Sequence, residues 1–395
     1  MSADDTGALA VASEAERASL GEILAHSFAF PASDAPAWFE RAGHDNVLAW
    51  RECASLAGGL ITIPMGQYFG GRSVPMVGVA GVGIAPEHRA RGAATRMMRA
   101  LVRSLRAQGV ALSTLYPATV PLYQRAGYER AGGKWKTTVR PHDLPTRMDP
   151  ALRVVSLDAV GAGETRALYD RQARLRDGAL DRGSYQWTRV DAPFKRVVRR
   201  LGFAGDGGLE GYVVLSHTAP SMLETQVAVI DAVAVTPRAA EALLVTLGAY
   251  RSLATEVSWL GGPHDPLTQR LRERHHTVTL GDFWMTRVVD VPAALAARGY
   301  NPAITASVTL DVRDELVPDN EGRWRVEVSG GRAEVRRDAN TPGVSLDVRA
   351  LAPLYTGFRT AEALAWDGLA VGDPRDLAAA TAIFSGSFPS LADHF

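Results

Sequence analysis

Six arginines lie within nineteen residues of this chain, in the segment HRARGAATRMMRALVRSLR at residues 88–106. A dense basic run suits two kinds of chemistry: binding of nucleic acid, or binding of a small phosphorylated molecule. The 395-residue chain has 43 Lys plus Arg and 43 Asp plus Glu, so no overall positive field attracts it to nucleic acid or a membrane. The position of each arginine in the sequence therefore has to indicate which of the two kinds of binding applies.

Most of the run has the periodicity of an amphipathic helix. Apolar residues recur at i, i+3, i+4, i+7, i+8 and i+11, which places them on one helix face; they are Ala94, Met97, Met98, Leu101, Val102 and Leu105. Four arginines fall on the opposite face, where charged side chains ordinarily face solvent; they are Arg96, Arg99, Arg103 and Arg106. This part of the run predicts a helix packed on a core.

The start of the run predicts a phosphate site. A buried strand, SVPMVGVAGVGIAP, ends at Pro86, and the pattern R-x-x-G-x-A from Arg89 then opens the helix. A helix N-terminus presents unpaired backbone N–H groups and a partial positive charge, and Gly92 lets a ligand approach the backbone. We expect a pyrophosphate on these N–H groups, with charge-assisted contacts from the arginines. Neither the P-loop pattern nor the dinucleotide fingerprint is present at this place.

VGIAPEHRARGAATRMM resembles the acetyl-CoA motif of the GNAT N-acetyltransferases, Q/R-x-x-G-x-G/A. The resemblance implies that acetyl-CoA is the co-substrate, with its pyrophosphate on the helix N-terminus and its pantetheine arm along the preceding strand. In that strand an N–H group would polarise the thioester carbonyl. The CoA-binding residues that follow from this are Val82, Gly83, Ile84, Arg89, Ala90, Arg91, Gly92, Ala93, Ala94 and Thr95.

A second motif, LYQRAGY at residues 122–128, resembles the L/F-Y-x-x-x-G-F/Y signature of the same superfamily. The resemblance gives Tyr123 the role of general acid, which protonates the departing CoA thiolate. A phenol with a pKa of ~10 suits a thiolate whose conjugate acid has a pKa of ~8.5. The alternative is that Tyr123 is a packed aromatic residue on a short helix.

The elements around these motifs recur along the chain. PHDLPTRMDP, residues 141–150, predicts a linker, and after it AVAVTP-RAAEALLVTLGAY repeats the strand-proline-helix order, with Pro237 in the place of Pro86. Because RAAEAL has no glycine, we expect this second copy to bind no CoA. A third part begins with VVDVPAALAARGY at residues 288–300. Short alternating strands with a hairpin signal at Gly330 and Gly331, and two helical pieces around AEALAW and PRDLAAATAIF, predict that it is α+β.

Taken over the whole chain, this order resembles the Eis (enhanced intracellular survival) acetyltransferases. VGIAPEHRARG is similar to the family's V-x-V-A-P-x-H-R-R-R-G, with Ala90 in place of the middle arginine. LYPATVPLYQRAGY is similar to L-H-A-S-E-G-G-I-Y-x-R-F-G-Y, with Tyr116 replacing a histidine and Ala118 a serine. The serine contacts CoA in the family, so only backbone contacts to CoA are expected at Ala118 and Thr119.

The resemblance implies an α/β and α+β chain of three domains. Tandem GNAT folds, each a mixed central sheet flanked by helices, are expected at residues 1–143, which bind acetyl-CoA, and at 144–290, which are degenerate. A sterol-carrier-like α+β domain is expected at residues 291–395. A homohexamer is implied by the family alone.

The last residue, Phe395, receives a catalytic role from the same resemblance. In the Eis family the carboxylate of a C-terminal phenylalanine is the general base. An α-carboxylate with a pKa of ~3.5 is a poor base in water, although burial raises such a pKa and a water can relay the proton. Chain ends usually fray, but SGSFPSLADHF is apolar enough to predict that this one docks.

The acceptor pocket is expected on the N-terminal segment, residues 17–50, which reads as helical and is broken by Pro31 and Pro36. In GNAT folds this segment walls the acceptor site. Aromatic and acidic side chains in it suit a polyamine through cation–π and ionic contacts; they are Phe28, Phe30, Trp38 and Phe39, with Asp34 and Glu40. Phe28, Phe30 and Trp38 are the predicted substrate-binding residues. Packing in the core is the alternative for each aromatic.

Other chemistries find little support. The one cysteine, Cys53, permits no intramolecular disulfide and fits a reducing cytoplasm. We expect it within a core strand of a hairpin that turns near Ala57, Gly58 and Gly59, and therefore not as a nucleophile. His275 and His276 lack the spacing of metal ligands and predict a surface pair. The N-terminus lacks a secretory signal and no stretch is long and apolar enough to span a bilayer, so a cytoplasmic enzyme without metal is predicted.

The sequence therefore predicts an acetyl-CoA-dependent N-acetyltransferase in which an amine attacks the thioester directly in a ternary complex. Aminoglycosides or related polyamines are the first expected acceptors, and lysines of proteins or peptides are the second. A different class stays open: a non-catalytic lipid or sterol carrier acting through the third domain, which would need a continuous apolar tunnel. Nucleic acid is not an expected partner.

Overall fold

The computed structural model of the chain describes residues 7–53, 55–193, 196–221 and 224–395. Its N-terminal elements are β1 (Gly7–Val11), α1 (Glu14–Phe28), α2 (Ala35–Ala42), β2 (Val47–Glu52), β3 (Ser55–Phe69), β4 (Arg72–Ile84), α3 (Ala93–Ala107), β5 (Leu112–Leu115), α4 (Val120–Gln124) and β6 (Glu129–Val139). The middle elements are β7 (Arg153–Ser156), α5 (Ala162–Ala173), β8 (Leu180–Asp181), α6 (Ser184–Asp191), β9 (Val198–Gly205), β10 (Gly208–Ser221), β11 (Glu224–Ala234), α7 (Pro237–Gly248), β12 (Glu256–Gly261) and β13 (His276–Val288). The C-terminal elements are α8 (Val291–Ala297), β14 (Ala306–Arg313), β15 (Gly322–Ser329), β16 (Arg332–Arg337), β17 (Val344–Asp347), α9 (Val348–Thr356), α10 (Ala361–Trp366), β18 (Ala370–Val371) and α11 (Pro374–Phe384).

The described chain divides into two compact units. The first unit contains the residues through Gly132, Phe283–Ser387 and Phe395, and the second contains Gly133–Asp282 and Phe388–His394. The predicted boundaries after residues 143 and 290 remain a prediction, since compactness groups the N-terminal and C-terminal parts into one unit.

A mixed sheet is the framework of the first unit. Its strands β1, β2, β3 and β4 pair antiparallel in sequence order, β4 pairs parallel with β5, and β5 pairs antiparallel with the end of β13. Helix α3 covers one face: Met97, Met98 and Leu101 are fully buried in a cluster with Val77 and Val79 of β4. The predicted amphipathic helix and mixed sheet are confirmed, and burial of the apolar helix face explains why α3 forms.

Two arginines that the helical pattern assigned to solvent are ion-paired instead. Arg96 Nη2 lies 2.6 Å from Glu52 Oε1, and Arg106 Nη1 lies 2.8 Å from Asp290 Oδ2. The helical pattern was wrong for them because partners distant in sequence cover that face of α3. Periodicity reports which face is apolar, but not which other elements approach the polar face.

The hairpin between β2 and β3 turns earlier than the sequence predicted. Cys53 lies in the turn, is exposed and has a positive φ of 48°, so its predicted place in a core strand was wrong. Gly58 and Gly59 lie within β3 and pair with Ile84 and Gly83 of β4. A β-carbon on Gly58 would stand 2.3 Å from the Gly83 carbonyl oxygen, so these glycines allow close strand approach and do not mark a turn.

The C-terminal part of the first unit has its own sheet, in the order β16-β15-β14-β17-β18. Gly330 and Gly331, with φ of 55° and 78°, form the predicted hairpin turn between β15 and β16. Helix α9 was not predicted, because Pro353 lies inside it and breaks the usual sequence pattern of a helix. Every residue of α9 except Arg349 is buried, so packing overrides the local signal.

The second unit repeats the pairing pattern of the first. β10 and β11 are antiparallel, β11 and β12 are parallel over Gln226–Ala228, and β12 pairs antiparallel with Trp135–Val139 of β6. Helix α7 follows β11 and begins at Pro237, as α3 follows β4 after Pro86. The predicted second copy of the α/β fold is confirmed by this order.

Candidate active site

An open strand edge lies at the centre of the first unit. β4 pairs with β5 only over Met76–Val79, which face Leu112–Leu115. β5 ends there, whereas β4 continues to Ile84 and stays paired with β3 on its other edge. In the described residues, the last part of β4 therefore keeps backbone N–H and C=O groups on one edge without a strand partner, and such groups can pair with an extended ligand.

A bulge distorts β4 at this open edge. Its register with β3 shifts between Gly59 and Ile61, which leaves one extra residue on β4, and Gly81 there has a φ of 59°. Bulges bend a strand and redirect its backbone groups. Beyond the bulge, Gly83 and Ile84 are buried and Val82 is half-buried against the α3 cluster. The predicted thioester-binding residues thus lie on the unpaired edge of β4.

The N-terminus of α3 is uncapped. Gly92 is its N-cap with φ 79°, no side chain caps the helix, and Ala90 is also left-handed at φ 59°. The N–H groups of Ala93, Ala94 and Thr95 belong to the first turn and lack partners within the helix. Successive backbone N–H groups in such a turn before a helix form a concave set of donors for an anion. Gly92 is needed because its φ is unfavourable for other residues.

The two arginines of the motif differ in their contacts. Arg89 donates from Nε to the Ile84 carbonyl oxygen at 2.9 Å and from Nη2 to Ser27 Oγ at 3.1 Å. It therefore ties the end of β4 to α1. Arg91 is exposed, and its carbonyl oxygen accepts from Arg96 Nη1 at 2.8 Å. The sequence motif predicted both arginines but did not indicate that Arg89 braces the protein itself.

Glu52 buttresses the start of α3. It accepts hydrogen bonds from Arg96 and from Trp50 Nε1, and His88 Nδ1 lies 3.6 Å from its other oxygen. Burial acts to raise the pKa of Glu52, but the bonds from Arg96 and Trp50 outweigh it and hold this pKa below its usual value. The carboxylate thus stays charged and fixes the first turn of the helix.

Tyr123 is buried within the α3 cluster. It lies on α4, is 4% exposed and meets the Tyr128 ring edge-on at a centroid distance of 6.3 Å. Burial raises the pKa of Tyr123 to about 12, so the phenol is protonated at neutral pH. Among the described residues, its hydroxyl has no hydrogen-bond partner, which leaves the proton available to a ligand.

A hydrogen-bonded chain that the sequence did not reveal fixes the turn after Tyr123. Tyr128 donates to Ser113 Oγ at 2.8 Å, and Ser113 donates to the Val77 carbonyl oxygen at 3.0 Å. The fully buried Arg287 packs against Gly127 and pairs with Asp314. Tyr128 was visible in the motif LYQRAGY, but Ser113 and Arg287 stand in segments with no recognisable signal.

Phe395 docks in the first unit. It is 7% exposed, its ring lies 5.6 Å from the Tyr116 ring, and a β-carbon on Gly78 would stand 2.8 Å from one of its ring carbons. Because side chains alternate along a strand, Gly78 faces away from the α3 cluster, which contains Val77 and Val79. Phe395 therefore approaches β4 from the face opposite the one that Tyr123 packs on, and the end of the chain is not frayed.

The aromatic residues of the N-terminal segment separate into two groups. Trp38 meets the Phe30 ring edge-on at 5.7 Å and lies against Gly81 of the β4 bulge. Phe28 ends α1 and is 46% exposed. Phe39 is buried in the core, so the packing alternative applies to it. Phe30 and Trp38 are thus brought to the open strand, and Phe28 lies at the surface.

Two further predicted CoA contacts follow β5. Ala118 and Thr119 are exposed, and Thr119 is the N-cap of α4 without a side-chain cap bond. Both residues lie at the surface, and their backbone contacts to CoA stay a prediction.

In the second unit, side chains cap the N-terminus of the corresponding helix, α7. Thr236 caps α7 by accepting from the Ala239 N–H at 3.2 Å, and it donates to Glu210 Oε2 at 2.7 Å. Arg238 pairs with the same carboxylate. Side chains of the protein therefore occupy the place where α3 leaves its N–H groups free.

Within the described ranges, no group of three or more His, Cys, Asp and Glu side chains is arranged to hold a metal ion. His275 is exposed, and its Nδ1 lies 3.5 Å from Asp143. In the same ranges, no helix is long and apolar enough to cross a membrane.

Comparison with known proteins places this geometry in a family. The acetyltransferase (GNAT) domain matches residues 10–131 and, in a second form, residues 178–288, and the sterol carrier protein domain matches residues 291–392. An uncharacterized N-acetyltransferase of Streptomyces avermitilis is 30% identical over 336 residues, 77% of this chain and 77% of that protein. The N-acetyltransferase Eis of Mycobacterium tuberculosis is 27% identical over 309 residues, 74% of this chain and 73% of that protein. A solved GCN5-related N-acetyltransferase from Anabaena variabilis has a TM-score of 0.94 at 30% identity and covers 98% of this chain and 100% of its own.

Tandem GNAT folds and a sterol-carrier-like domain define an acetyltransferase. The chain belongs to the Eis-type family of GNAT N-acetyltransferases.

Proposed function

We propose that the protein transfers the acetyl group of acetyl-CoA to an amine of an aminoglycoside or a related polyamine, by direct attack in a ternary complex. One observation carries this proposal: the uncapped α3 N-terminus adjoins the open edge of β4, with Tyr123 and Phe395 on opposite faces of that strand. An anion site, an unpaired strand and a proton donor are the parts that acetyl transfer from a CoA thioester requires.

The co-substrate is assigned to the first unit. The N–H groups at the start of α3 would hold the pyrophosphate, and Arg89 and Arg91 lie beside them. The open edge of β4 from Val82 to Ile84 would pair with the pantetheine arm, and its N–H groups would stabilise charge on the thioester oxygen. The capped N-terminus of α7 supports one co-substrate site per chain.

Proton transfer is assigned to two residues. Tyr123 keeps its proton at neutral pH, as any phenol does, and burial extends this to higher pH by raising its pKa to about 12. Its unpaired hydroxyl suits protonation of the CoA thiolate as the C–S bond breaks. The Phe395 carboxylate would take the proton of the attacking amine, directly or through a water. Docking of the Phe395 ring on Gly78 supports this role, because a free end could not hold its carboxylate in place.

The acceptor is assigned to the aromatic segment. Phe30 and Trp38 lie by the β4 bulge, and Phe28 lies at the surface of the same segment. Aromatic faces attract ammonium groups, and the half-buried Asp34 and exposed Glu40 add negative charge. A molecule with several amines suits this wall better than a neutral acceptor, with lysine side chains of peptides as the second candidate class.

The carrier alternative has less support. In the C-terminal part of the first unit, Arg298 is 1% exposed and donates to the carbonyl oxygens of Tyr355, Gly299 and Phe384. A buried guanidinium within a filled interior is a poor lining for a lipid tunnel. This part is better suited to a structural role.

The first test is acetyl transfer itself. The protein, acetyl-CoA and a panel of aminoglycosides, polyamines and lysine peptides are incubated with a thiol reagent, and release of CoA thiol is followed. We expect acceptor-dependent release, highest with aminoglycosides. Absence of thiol release across the whole panel would contradict the proposal. Release with lysine peptides alone would identify the second acceptor class, lysine side chains, as the substrate.

Substitution Tyr123→Phe removes the proposed acid and keeps the ring packing. We expect kcat to fall roughly 10²-fold or more, with the KM for acetyl-CoA unchanged. Because the pKa of Tyr123 is raised to about 12, its proton is present below that pH, so wild-type activity should not fall between neutral pH and pH 10 through its ionisation. Tyr250→Phe is the matched control, and equal turnover of Tyr123→Phe and wild type would remove Tyr123 from the mechanism.

Adding one glycine after Phe395 moves the terminal carboxylate and keeps the phenyl ring. We expect turnover to fall by about 10²-fold, as misplacement of a catalytic group by an ångström or more can do, while CoA binding measured by calorimetry stays unchanged. Phe395→Leu keeps the terminal α-carboxylate in place and keeps an apolar side chain at this residue, so it should retain more activity than the extended chain. Full activity of the extended chain would exclude the carboxylate as base.

A further inference from the structure

Arg182 is a buried cation held between two carboxylates of the second unit. Its Nη1 and Nη2 donate to Asp231 at 2.8 Å each, and its Nη2 and Nε reach the two oxygens of Asp393 at 3.0 and 3.2 Å. The side chain of Arg182 is only 3% exposed, and its guanidinium lies 3.7 Å from the centroid of the Tyr169 ring. Asp393 is the third residue from the end of the chain, so one partner of this buried cation comes from the C-terminal tail.

The carboxylates also lie close to two tyrosine hydroxyls. Tyr212 donates its hydroxyl proton to Asp231 at 2.7 Å. The single hydroxyl proton of Tyr169 is shared between the Leu180 carbonyl oxygen at 2.9 Å and Asp393 at 3.3 Å. A buried charge is tolerated when it is paired and hydrogen-bonded, and one partner, Asp231, already neutralises Arg182. The fold of the second unit therefore does not require Asp393 for charge balance, whereas the tail is held by Arg182. We call Arg182, Asp231, Tyr169 and Asp393 the tail clamp.

The backbone of the tail is held in the same unit. Gly133 donates its N–H to the Pro389 carbonyl oxygen at 3.2 Å and accepts from the Leu391 N–H at 3.1 Å, which forms a parallel bridge to β6. The Ser390 N–H donates to the Asp177 carbonyl oxygen at 3.0 Å. Leu391 is fully buried. Residues 389–393 are therefore fixed by backbone bonds, by one apolar anchor and by the tail clamp.

The tail lies at the place where β11 and β12 separate. Parallel pairing of these strands ends at Ala228 and Ser258. Beyond that point, residues 229–232 of β11, residues 259–261 of β12 and the tail residues Ser390, Ala392 and Asp393 line a cavity of ≈ 90 Å³. In the first unit, β4 and β5 separate in the corresponding way, and the edge of β4 that is left unpaired there is the one assigned to the co-substrate. The second unit covers its own open edge with the end of the chain.

We propose that the second GNAT fold uses its open strand edge to bind the C-terminal tail. In this proposal Arg182 is a positioning residue, which fixes the position of the Phe395 carboxylate by holding Asp393. The catalytic part of this inference rests on the proposed role of Phe395 as base. Two residues span at most ~7 Å, so an anchor at Asp393 limits where Phe395 can lie. Release of the clamp frees the terminus without altering any group that touches the co-substrate.

The test compares wild type with Asp393→Asn and Asp393→Ala. Both variants leave Arg182 paired with Asp231, so the fold of the second unit is preserved, which thermal unfolding checks. Asp170→Asn is the matched control, because it makes the same chemical change in the exposed Asp170–Arg174 pair of α5. Two quantities are measured on the full chain: the rate at which a carboxypeptidase selective for aromatic residues releases Phe395, and steady-state turnover before cleavage.

We expect release of Phe395 to accelerate by about tenfold or more, as loss of hydrogen bonds to a charged group implies, with the larger effect in Asp393→Ala. Synthetic peptides of the last eight residues, with and without each substitution, correct for the protease's own preference. Turnover should fall roughly 10- to 100-fold with the KM for acetyl-CoA unchanged, and the control should match wild type in both readouts.

The outcomes separate the two claims. Unchanged release of Phe395 in both Asp393 variants overturns the tail clamp, whatever the role of Phe395 in catalysis. Faster release with wild-type turnover overturns the terminal carboxylate as base and leaves the anchor in place. Faster release together with lower turnover supports both.

Discussion

The end of parallel pairing between β4 and β5 is the constraint on which the candidate active site depends. A strand that continues past its neighbour keeps backbone groups that must be satisfied by solvent or by a ligand. In this chain β5 ends at Leu115 and β4 runs on to Ile84. The bulge at Gly81, the uncapped α3 and the buried Tyr123 all surround that edge, and Phe395 docks on Gly78 near its start. Each proposed role of these parts depends on the edge of β4 being left unpaired.

The second unit faces the same constraint and satisfies it with the protein itself. β11 and β12 separate after Ala228 and Ser258, Thr236 caps the following helix, and the C-terminal tail lies along the gap. An open strand edge and a helix terminus bind an extended ligand whether that ligand is a pantetheine arm or a stretch of polypeptide.

The sequence predicted the elements whose signals are local. The order of a strand, Pro86 and the motif R-x-x-G-x-A predicted where α3 begins. This succeeded because the start of a helix and the left-handed conformation of a glycine depend on neighbouring residues. It also predicted docking of the terminus from the apolar composition around Phe395. It did not predict the Arg96–Glu52 pair, the position of Cys53 in a turn, or the Arg182–Asp393 contact. The two ion pairs join residues separated by 44 and 211 positions, and only the folded chain brings them together. Gly58 and Gly59 of β3 were wrongly predicted to mark a turn, because glycine is used both in turns and where two strands approach closely.

We propose that one of the two similar folds binds the co-substrate and that the other binds the tail. A crystal structure of the full chain with CoA tests this division of roles. We expect one CoA per chain, with its pyrophosphate on the N–H groups of Ala93, Ala94 and Thr95 and with Asp393 still paired to Arg182. A pyrophosphate at the N-terminus of α7, or CoA lying between β11 and β12 in place of residues 390–393, would contradict it.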